Sequence, residues 1–435
     1  MPEILDCPLE ILDLIIDELA RSPALPSELV DSVHQRLFRR VLPLGRTCRF
    51  FYQYILPRLY SDCFLEFRDI LDEGPEYRLY DSSVLRTIKR YNGFFKHGAM
   101  VRNLNVRFGG RANWIPPAQF QGLSDKIWFD FHEVSRPVPS VLEGLVPRFD
   151  NLRRAEFQRD IESRGCLGEF VEGLGLVLSG VASLTELDLS IQYNADDENG
   201  WVENWEYTKY PCSAAQLQYL SISIEPKVRY LDPDRRREPL GWDVEFQQNL
   251  WFMDFLVGLL RLPSRTVRTL NFEFIFEEFE KSPLACRSLN YGEQDKTVKD
   301  EKRLELPLLE KLYLTLGGGC QYAYWRYFKV VPEEVRDLSL QLVTLPRGTW
   351  SNEITFIKSF PKLTALTLYH PRDIEPVEAV VASRAHFTCL KELTVLLFTP
   401  SSQITAIIDK FKKDPLIQIE KFDSSPDSAT ICLQF

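Results

Sequence analysis

The sequence predicts an α/β protein in which a small helical head precedes a curved solenoid, with parallel strands inside and helices outside. Three observations support this prediction. An apolar-x-x-Leu-x-apolar unit recurs between residues 101 and 397, amphipathic helical segments separate its copies, and two helical apolar stripes precede residue 61. We therefore expect a helical head at residues 1–67, a helical connector at 68–100 and the repeat array at 101–435.

The repeating unit has apolar residues at its first, fourth and sixth positions. Its nine copies start at Val101, Leu152, Leu184, Leu217, Val267, Leu309, Val335, Leu363 and Leu390. From the third copy on, the starts are 33, 50, 42, 26, 28 and 27 residues apart. Because alternate residues of a strand point to opposite faces, Leu187 and Leu189 should point inward and Asp188 and Ser190 outward. The first apolar residue should plug the turn that enters the strand.

Helical patterns lie between the strands, as a stacked strand–helix repeat requires. The amphipathic segments are Leu167–Leu178, Trp251–Leu262, Glu353–Phe360, Val377–Ala382 and Ile404–Phe411. Degenerate copies of the repeat are predicted at Ile127 and at Ile419. An ordinary α/β domain with buried strands is the alternative to a solenoid.

The head begins with a helical pattern. Asp6 can cap this helix, Pro8 suits its first turn and Glu10 faces the positive end of the helix dipole. Its apolar stripe consists of Leu12, Ile15, Ile16 and Leu19, and the stripe of the next basic helix consists of Leu44, Cys48, Phe51 and Ile55. Two short helices cannot bury a large core alone, so we expect part of this surface to contact a partner. The alternative is a structural cap on the array.

Both halves of the head resemble an F-box. The run Pro8-Leu9-Glu10-Ile11-Leu12 is similar to the first F-box helix, and Thr47-Cys48-Arg49-Phe50-Phe51 is similar to its later Cys-Arg segment. Leu56-Pro57-Arg58-Leu59-Tyr60 resembles the tail common in fungal F-box proteins, which leads into a strand. The resemblance covers roughly residues 3–67 and implies docking on a Skp-type adaptor.

The array resembles leucine-rich repeats of an irregular kind. The position of that family's usual Asn, which bonds the turn backbone, is occupied here by Gln192, Glu225, Gly317, Val343 and Pro371. We therefore expect turns that are less regular than in typical members of the family.

Together, the two resemblances imply a substrate-recognition adaptor of an SCF-type cullin–RING ubiquitin ligase, which is not itself an enzyme and needs no cofactor or metal. Its partners would be a Skp-type adaptor with the cullin core and a target protein. The residues expected to dock the adaptor are Pro8, Leu9, Ile11, Leu12, Ile15, Leu19, Cys48, Phe50 and Phe51. The outward strand positions expected to face the target are Asp188, Ser190, Ser221, Ser223, Asn271, Glu273, Tyr313, Thr315, Ser339, Gln341, Thr367, Tyr369 and Thr394.

Composition narrows the function classes. A net charge of −10 argues against broad binding to nucleic-acid phosphates. No run of about eighteen apolar residues suggests a membrane helix, and Met1-Pro2-Glu3 lacks the basic start of a secretory signal. The nine cysteines contain no C-x-x-C pair, which favours reduced, mostly buried thiols in a cytoplasmic and/or nuclear protein.

Catalytic motifs are absent from the sequence. The five histidines lie far apart, and no zinc-protease, nucleophile-elbow or P-loop motif occurs. Gly173 and Gly175 lack the third glycine of a dinucleotide fingerprint, and Gly317–Gly319 is followed by no Lys-Ser/Thr. Two other functions remain open: a repeat scaffold that binds a partner without any ligase, and a sensor whose solenoid binds a small molecule that bridges to the target.

Overall fold

The computed structural model describes residues 14, 49–67, 96–108, 138–159, 166–194, 216–227, 256–274, 303–316, 328–342, 350–369, 375–397, 409, 418–425 and 428–434. The chain forms two compact units, Met1–Leu184 (unit 1) and Thr185–Phe435 (unit 2). Both units mix helices with strands that are mostly parallel.

Five helices and fourteen strands have described bounds. The helices are α1 (Arg49–Leu59), α2 (Val138–Leu145), α3 (Cys166–Gly180), α4 (Trp350–Lys358) and α5 (Glu375–Ala382). The strands of unit 1 are β1 (Asp62–Phe67), β2 (Asn103–Phe108) and β3 (Arg154–Arg159). The strands of unit 2 are β4 (Glu186–Asn194), β5 (Tyr219–Lys227), β6 (Thr269–Phe274), β7 (Leu304–Leu306), β8 (Lys311–Leu316), β9 (Phe328–Val330), β10 (Asp337–Leu342), β11 (Ala365–Tyr369), β12 (Glu392–Leu397), β13 (Gln418–Ser425) and β14 (Ser428–Gln434).

In unit 1, β1, β2 and β3 pair in parallel and in sequence order. Cys63, Leu104 and Ala155 are aligned across the three strands and fully buried. Phe157 of β3 meets Phe170 of α3 edge to face, with ring centroids 5.9 Å apart, so this helix covers the apolar face of the sheet. β1 lies in the predicted head and β2 in the predicted array, yet the two strands pair along their whole length. Strand pairing therefore joins segments on either side of the boundaries predicted at residues 67 and 100.

Two short turns of unit 1 lie against each other. A Cβ added to Gly98, in the 3₁₀ turn Gly98–Met100, would lie 2.5 Å from Cβ of Arg148, in the turn Val146–Arg148. A Cβ added to Gly180 would lie 2.5 Å from Cγ1 of Val146. Gly98 is therefore required for close approach to the backbone of Arg148, whereas a side chain at Gly180 would have to displace the Val146 methyl group.

Unit 2 contains a long, mostly parallel sheet. Its strand order is β4-β5-β6-β8-β10-β11-β12-β14-β13, in which the first seven pair in parallel and the last two pairings are antiparallel. β7 and β9 form a separate parallel pair, and Phe328 of β9 contacts Phe272 of β6 with ring centroids 5.1 Å apart. This small sheet thus packs on the apolar face of the long one.

The apolar positions predicted from the repeat are buried, as expected. Every first residue of the nine copies is at most 6% exposed, and the fourth and sixth residues are at most 3% exposed. Residues at the same position of successive copies within each unit are aligned by strand pairing, for example Leu270, Leu312 and Leu338. The two-residue period therefore identified the strands of the nine copies and the face that each of their residues occupies.

A recurring hydrogen-bond pattern aligns the strand starts. The carbonyl just before a strand accepts two backbone N–H groups from the start of the next one. The Gln218 carbonyl, for example, accepts from Arg268 and Thr269 at 2.9 and 3.0 Å. The Glu310 carbonyl accepts from Arg336 and Asp337 at 2.8 and 3.1 Å. The same arrangement joins other neighbouring repeats in both units, so it is a constant of the fold.

Hydroxyl groups also tie successive turns together. Ser183 Oγ donates to the Leu152 carbonyl at 2.8 Å in unit 1, and Thr266 Oγ1 donates to the Leu217 carbonyl at 2.8 Å in unit 2. In both cases the donor precedes the first residue of one repeat, and the acceptor is the first residue of the previous repeat. These short side chains satisfy carbonyl groups at the turns that precede the strands.

The helices agree with the sequence patterns where the structure describes them. The segment predicted at Leu167–Leu178 lies in α3, that at Glu353–Phe360 overlaps α4, and that at Val377–Ala382 lies in α5. Residues 256–260 are helical, in agreement with the segment Trp251–Leu262. Of Ile404–Phe411 only residue 409 is described, and Ile127 lies outside the described residues.

Two regions differ from a uniform strand–helix repeat. The short strands β7 and β9 flank β8, where the repeat predicted helices between strands. The degenerate copy at Ile419 is a strand, but it does not pair beside β12. Instead, β14 lies between β12 and β13 and pairs antiparallel with both. Only two residues separate β13 from β14 in the sequence, and so short a connection permits only antiparallel pairing. None of the described helices is long and apolar enough to cross a lipid bilayer.

Candidate functional site

The side chains that alternate with the buried residues form three rows across unit 2, which together make up its outer face. The start row contains Glu186, Tyr219, Thr269, Lys311, Asp337, Ala365 and Glu392. The middle row contains Asp188, Ser221, Asn271, Tyr313, Ser339, Thr367 and Thr394. The end row contains Ser190, Ser223, Glu273, Thr315, Gln341, Tyr369 and Leu396. Strand pairing aligns the members of each row.

Hydrogen bonds connect neighbouring strands along these rows. Asn271 Nδ2 donates to Ser221 Oγ at 3.2 Å. Ser223 Oγ donates to Glu273 Oε2 at 3.0 Å. Thr315 Oγ1 donates to Gln341 Oε1 at 3.3 Å. The middle and end rows therefore position part of their polar groups before any partner binds.

The start row contains a notch, which we define as Ala365 with Asp337 and Glu392 on either side. Strand pairing places Asp337 beside Ala365 and Ala365 beside Glu392. Because adjacent strands are about 4.8 Å apart, the two carboxylate-bearing residues are separated by roughly 10 Å of backbone. Between them, Ala365 contributes only a methyl group. Thr394 Oγ1 donates to Glu392 Oε1 at 3.0 Å and so orients one wall.

The electrostatics of the notch disfavour a second negative charge. Burial raises the pKa of Asp337, the Lys311 ammonium in the same row opposes that rise, and the Glu392 carboxylate adds to it. Burial also raises the pKa of the Tyr313 phenol, with a further contribution from Asp337. The pKa values of Asp337 and Tyr313 therefore depend on charged groups on other strands of the sheet as well as on burial.

Three tyrosines cross the outer face on a diagonal. Tyr219 lies on β5 in the start row, Tyr313 on β8 in the middle row and Tyr369 on β11 in the end row. Each step moves two strands sideways and two residues along, so successive Cα atoms are about 12 Å apart. The diagonal presents aromatic surface on both sides of β10.

All thirteen residues predicted to face a target lie on this outer face, because they make up the middle row and most of the end row. Two of them have little surface to offer. Ser339 and Thr315 are only 4% and 8% exposed, since these small side chains lie among larger neighbours. The other eleven are partly exposed.

The start row was missing from the predicted target face. Its residues occupy the third position of the repeat, one residue before the buried leucine, so the two-residue alternation already places them outward. The alternation that places them outward is visible in the sequence at Glu186, Asp337 and Glu392, each of which directly precedes the leucine that begins the apolar alternation. What a single sequence could not show was that Ala365 lies between two carboxylates, because this requires the strand register.

Of the residues predicted to dock an adaptor, only Phe50 and Phe51 are described. Both lie on α1, where Phe50 is 39% exposed and stacks on Tyr54 with ring centroids 5.9 Å apart. Tyr52 on the same helix is 41% exposed. Pro8, Leu9, Ile11, Leu12, Ile15, Leu19 and Cys48 lie outside the described residues.

At the end of α1, Tyr60 packs against His97, with ring centroids 4.8 Å apart. Burial lowers the pKa of His97, as does the neighbouring Lys96, so this imidazole is disposed to stay neutral. Among the described cysteines, Cys63 is buried, Cys389 is exposed and Cys432 is intermediate, so the expected burial holds for one of these three free thiols. No group of three or more His, Cys, Asp or Glu side chains converges on a metal-sized site within the described ranges.

Comparisons with known proteins leave the family open. A scan against protein-family models finds no match, and a search of curated proteins finds none either.

Proposed function

We propose that this chain is a substrate-recognition adaptor of an SCF-type cullin–RING ubiquitin ligase. The observation that carries the proposal is the two-part F-box-like motif, Pro8–Leu12 followed by Thr47–Phe51, placed ahead of the repeats. In this proposal the head docks a Skp-type adaptor, and the repeats, as an irregular leucine-rich-repeat-like solenoid, hold a target protein.

The geometry of unit 2 supports the target-binding half of the proposal. Repeats that pair in order and in register present an extended set of outward side chains, and such repeat arrays commonly bind proteins. Hydroxyl, amide, carboxylate and tyrosine groups on one face suit a polypeptide partner. The mechanism is proximity: ligase core and target are held on one chain, so that target lysines come within reach of the charged E2 enzyme.

Surface chemistry on α1 supports the docking half. The exposed aromatic side chains of Phe50 and Tyr52 are costly to leave in water unless a partner covers them. Phe50 belongs to the F-box-like segment, so the resemblance and the exposure point to the same residue.

The test is co-purification of the full chain with a Skp-type adaptor. We expect the double variant Pro8→Ala, Leu12→Asp to lose the complex, and Phe50→Asp to weaken it about tenfold or more because a charge would be buried in an apolar interface. Gln53→Ala, at an exposed position of the same helix, is the matched control and should keep binding. An intact complex of the double variant at micromolar concentrations, or no complex of the wild type, would rule out adaptor docking and favour a scaffold without a ligase.

A further inference from the structure

The outer face of unit 2 has a feature that indicates the chemistry of its ligand. We propose that the notch of Asp337, Ala365 and Glu392 holds a lysine or arginine side chain from an extended basic segment of the target, which lies across the outer face. This inference rests on the target-binding half of the proposed function and not on adaptor docking.

The notch has the size and walls for one cationic side chain. Its two carboxylates project from strands on either side of β11, and the only side chain between them in this row is the methyl group of Ala365. A backbone separation of roughly 10 Å leaves room for an ammonium or guanidinium group within hydrogen-bond reach of both acids. The bond from Thr394 fixes Glu392, so binding need not order that wall.

The charge of the outer face favours a basic partner. Glu186, Asp188, Glu273, Asp337 and Glu392 are acidic, whereas Lys311 is the single basic residue in the three rows. Lys311 lies beside Asp337 on the side away from Ala365, so the notch itself is lined by acids. Burial and the like charge of Glu392 already disfavour ionised Asp337, and an incoming cation would relieve that cost.

Basic residues do occur at the border of the face, just before the strands. Arg268 is paired with Glu310. Arg336 and Lys391 are exposed at the strand starts next to Asp337 and Glu392. They precede the outward rows, so they border the notch at the end where the strands begin. The side toward the middle row carries the hydroxyl groups of Ser339, Thr367 and Thr394. An acidic ligand would have to sit on this border instead.

Aromatic side chains also lie near the notch. Tyr313 is one strand and two residues away from Asp337, so their Cα atoms are about 8 Å apart, and Tyr369 lies four residues beyond Ala365 on β11. Aromatic faces attract lysine and arginine side chains as well as apolar stems. A basic segment with one side chain in the notch would therefore have further cationic groups within reach of these rings.

The experiment measures binding of the full chain to two fluorescein-labelled twelve-residue peptides by fluorescence anisotropy. One peptide alternates lysine with threonine, and the other alternates glutamate with threonine. We expect saturable binding of the lysine peptide alone. Asp337→Asn and Glu392→Gln should each weaken it about fivefold, the factor that corresponds to a single partly exposed ion pair. Ala365→Lys should reduce it at least tenfold, because its own ammonium would occupy the notch.

Controls separate the notch from general charge. Ala365→Ser keeps a small side chain between the two acids, and Lys391→Gln alters the border, so both should bind the lysine peptide as the wild type does or slightly better. Thermal melting of each variant verifies folding, and the two acid-to-amide changes suffice if Ala365→Lys does not fold. The inference is overturned if the lysine peptide does not bind, if the glutamate peptide binds as well, or if neither acid-to-amide change weakens binding.

Loss of peptide binding and loss of adaptor docking can be measured separately. Ala365→Lys should co-purify with a Skp-type adaptor as efficiently as the wild type, because its change lies outside the head. Adaptor docking without peptide binding would overturn only this inference. Peptide binding without adaptor docking would overturn only the ligase role.

Discussion

The two faces of the sheet in unit 2 follow opposite rules, although the same strands build both. On the buried face, successive repeats carry leucine with few exceptions, as in Leu312, Leu338 and Leu366, and each is fully buried. On the outer face, the residues aligned with their neighbours change from lysine to aspartate to alanine to glutamate along the start row. Close packing restricts the first set, whereas solvent leaves the second set free. Stability and recognition can therefore be altered almost independently.

The largest expected difference is in the free energy of unfolding, between a truncation on the buried face and a truncation on the outer face. Leu338→Ala removes a fully buried side chain from β10, and we expect a loss of about 2–5 kcal/mol in the free energy of unfolding, because a cavity adds to the lost burial. Thr367→Ala on the outer face should change it by no more than about 0.5 kcal/mol. Urea unfolding followed by tryptophan fluorescence measures both. Similar losses for the two variants would contradict the division between faces.

A smaller effect is expected from a polar group on the buried side of the turns. Thr266→Val keeps the shape of the side chain but removes the hydroxyl that donates to the Leu217 carbonyl. We expect a loss of about 1 kcal/mol, with up to about 3 kcal/mol if the carbonyl is left without a donor. Thr269→Val makes the same change on the outer face and is the control. Its midpoint of urea unfolding should stay close to that of the wild type. Equal midpoints for the two variants would remove the proposed role of the hydroxyl.

The smallest expected change in stability comes from removing the Asp337 charge on the outer face. Unlike the two substitutions above, this one should stabilise the protein. The pKa of Asp337 is raised in the folded protein, so as pH rises above its usual value of 3.8 the unfolded chain ionises first and the native state becomes relatively less stable. Asp337→Asn should therefore raise the melting temperature slightly at pH 7. The gain should shrink as pH falls through the folded pKa and vanish below 3.8. A variant that melts earlier than the wild type at pH 7 would show that this carboxylate stabilises the fold.

Alternation in the sequence was sufficient to identify the strands of the nine repeat copies and their buried residues. The signal is strong because each repeat places a leucine three residues after an apolar residue and another apolar residue two further on, as in Val335, Leu338 and Leu340. Parallel pairing was expected from the helical patterns that separate some of the copies, such as Glu353–Phe360 between β10 and β11. The outward direction of Tyr313 and Gln341 follows from the same period.

Other features depend on information that one sequence does not contain. β7 and β9 are three residues long, which is too short for a distinct alternation. The antiparallel end of the sheet, by contrast, has a local signal in the sequence, because Ile431 and Leu433 alternate after Pro426-Asp427, a common turn sequence. The notch could not be predicted at all, since residues 337, 365 and 392 are brought together only by register.

The paired donation to the carbonyl before each strand determines how this chain tolerates changes in length. It is the same at Gln218, where the next donor is 50 residues further on, and at Glu310, where it is 26 residues further on. Connections between strands can therefore be lengthened, shortened or exchanged while the rows stay aligned. Duplication or loss of one whole repeat would move everything beyond it by a single strand spacing, about 4.8 Å. A change in repeat number would therefore bring different outward residues side by side while the same backbone hydrogen bonds align the strand starts.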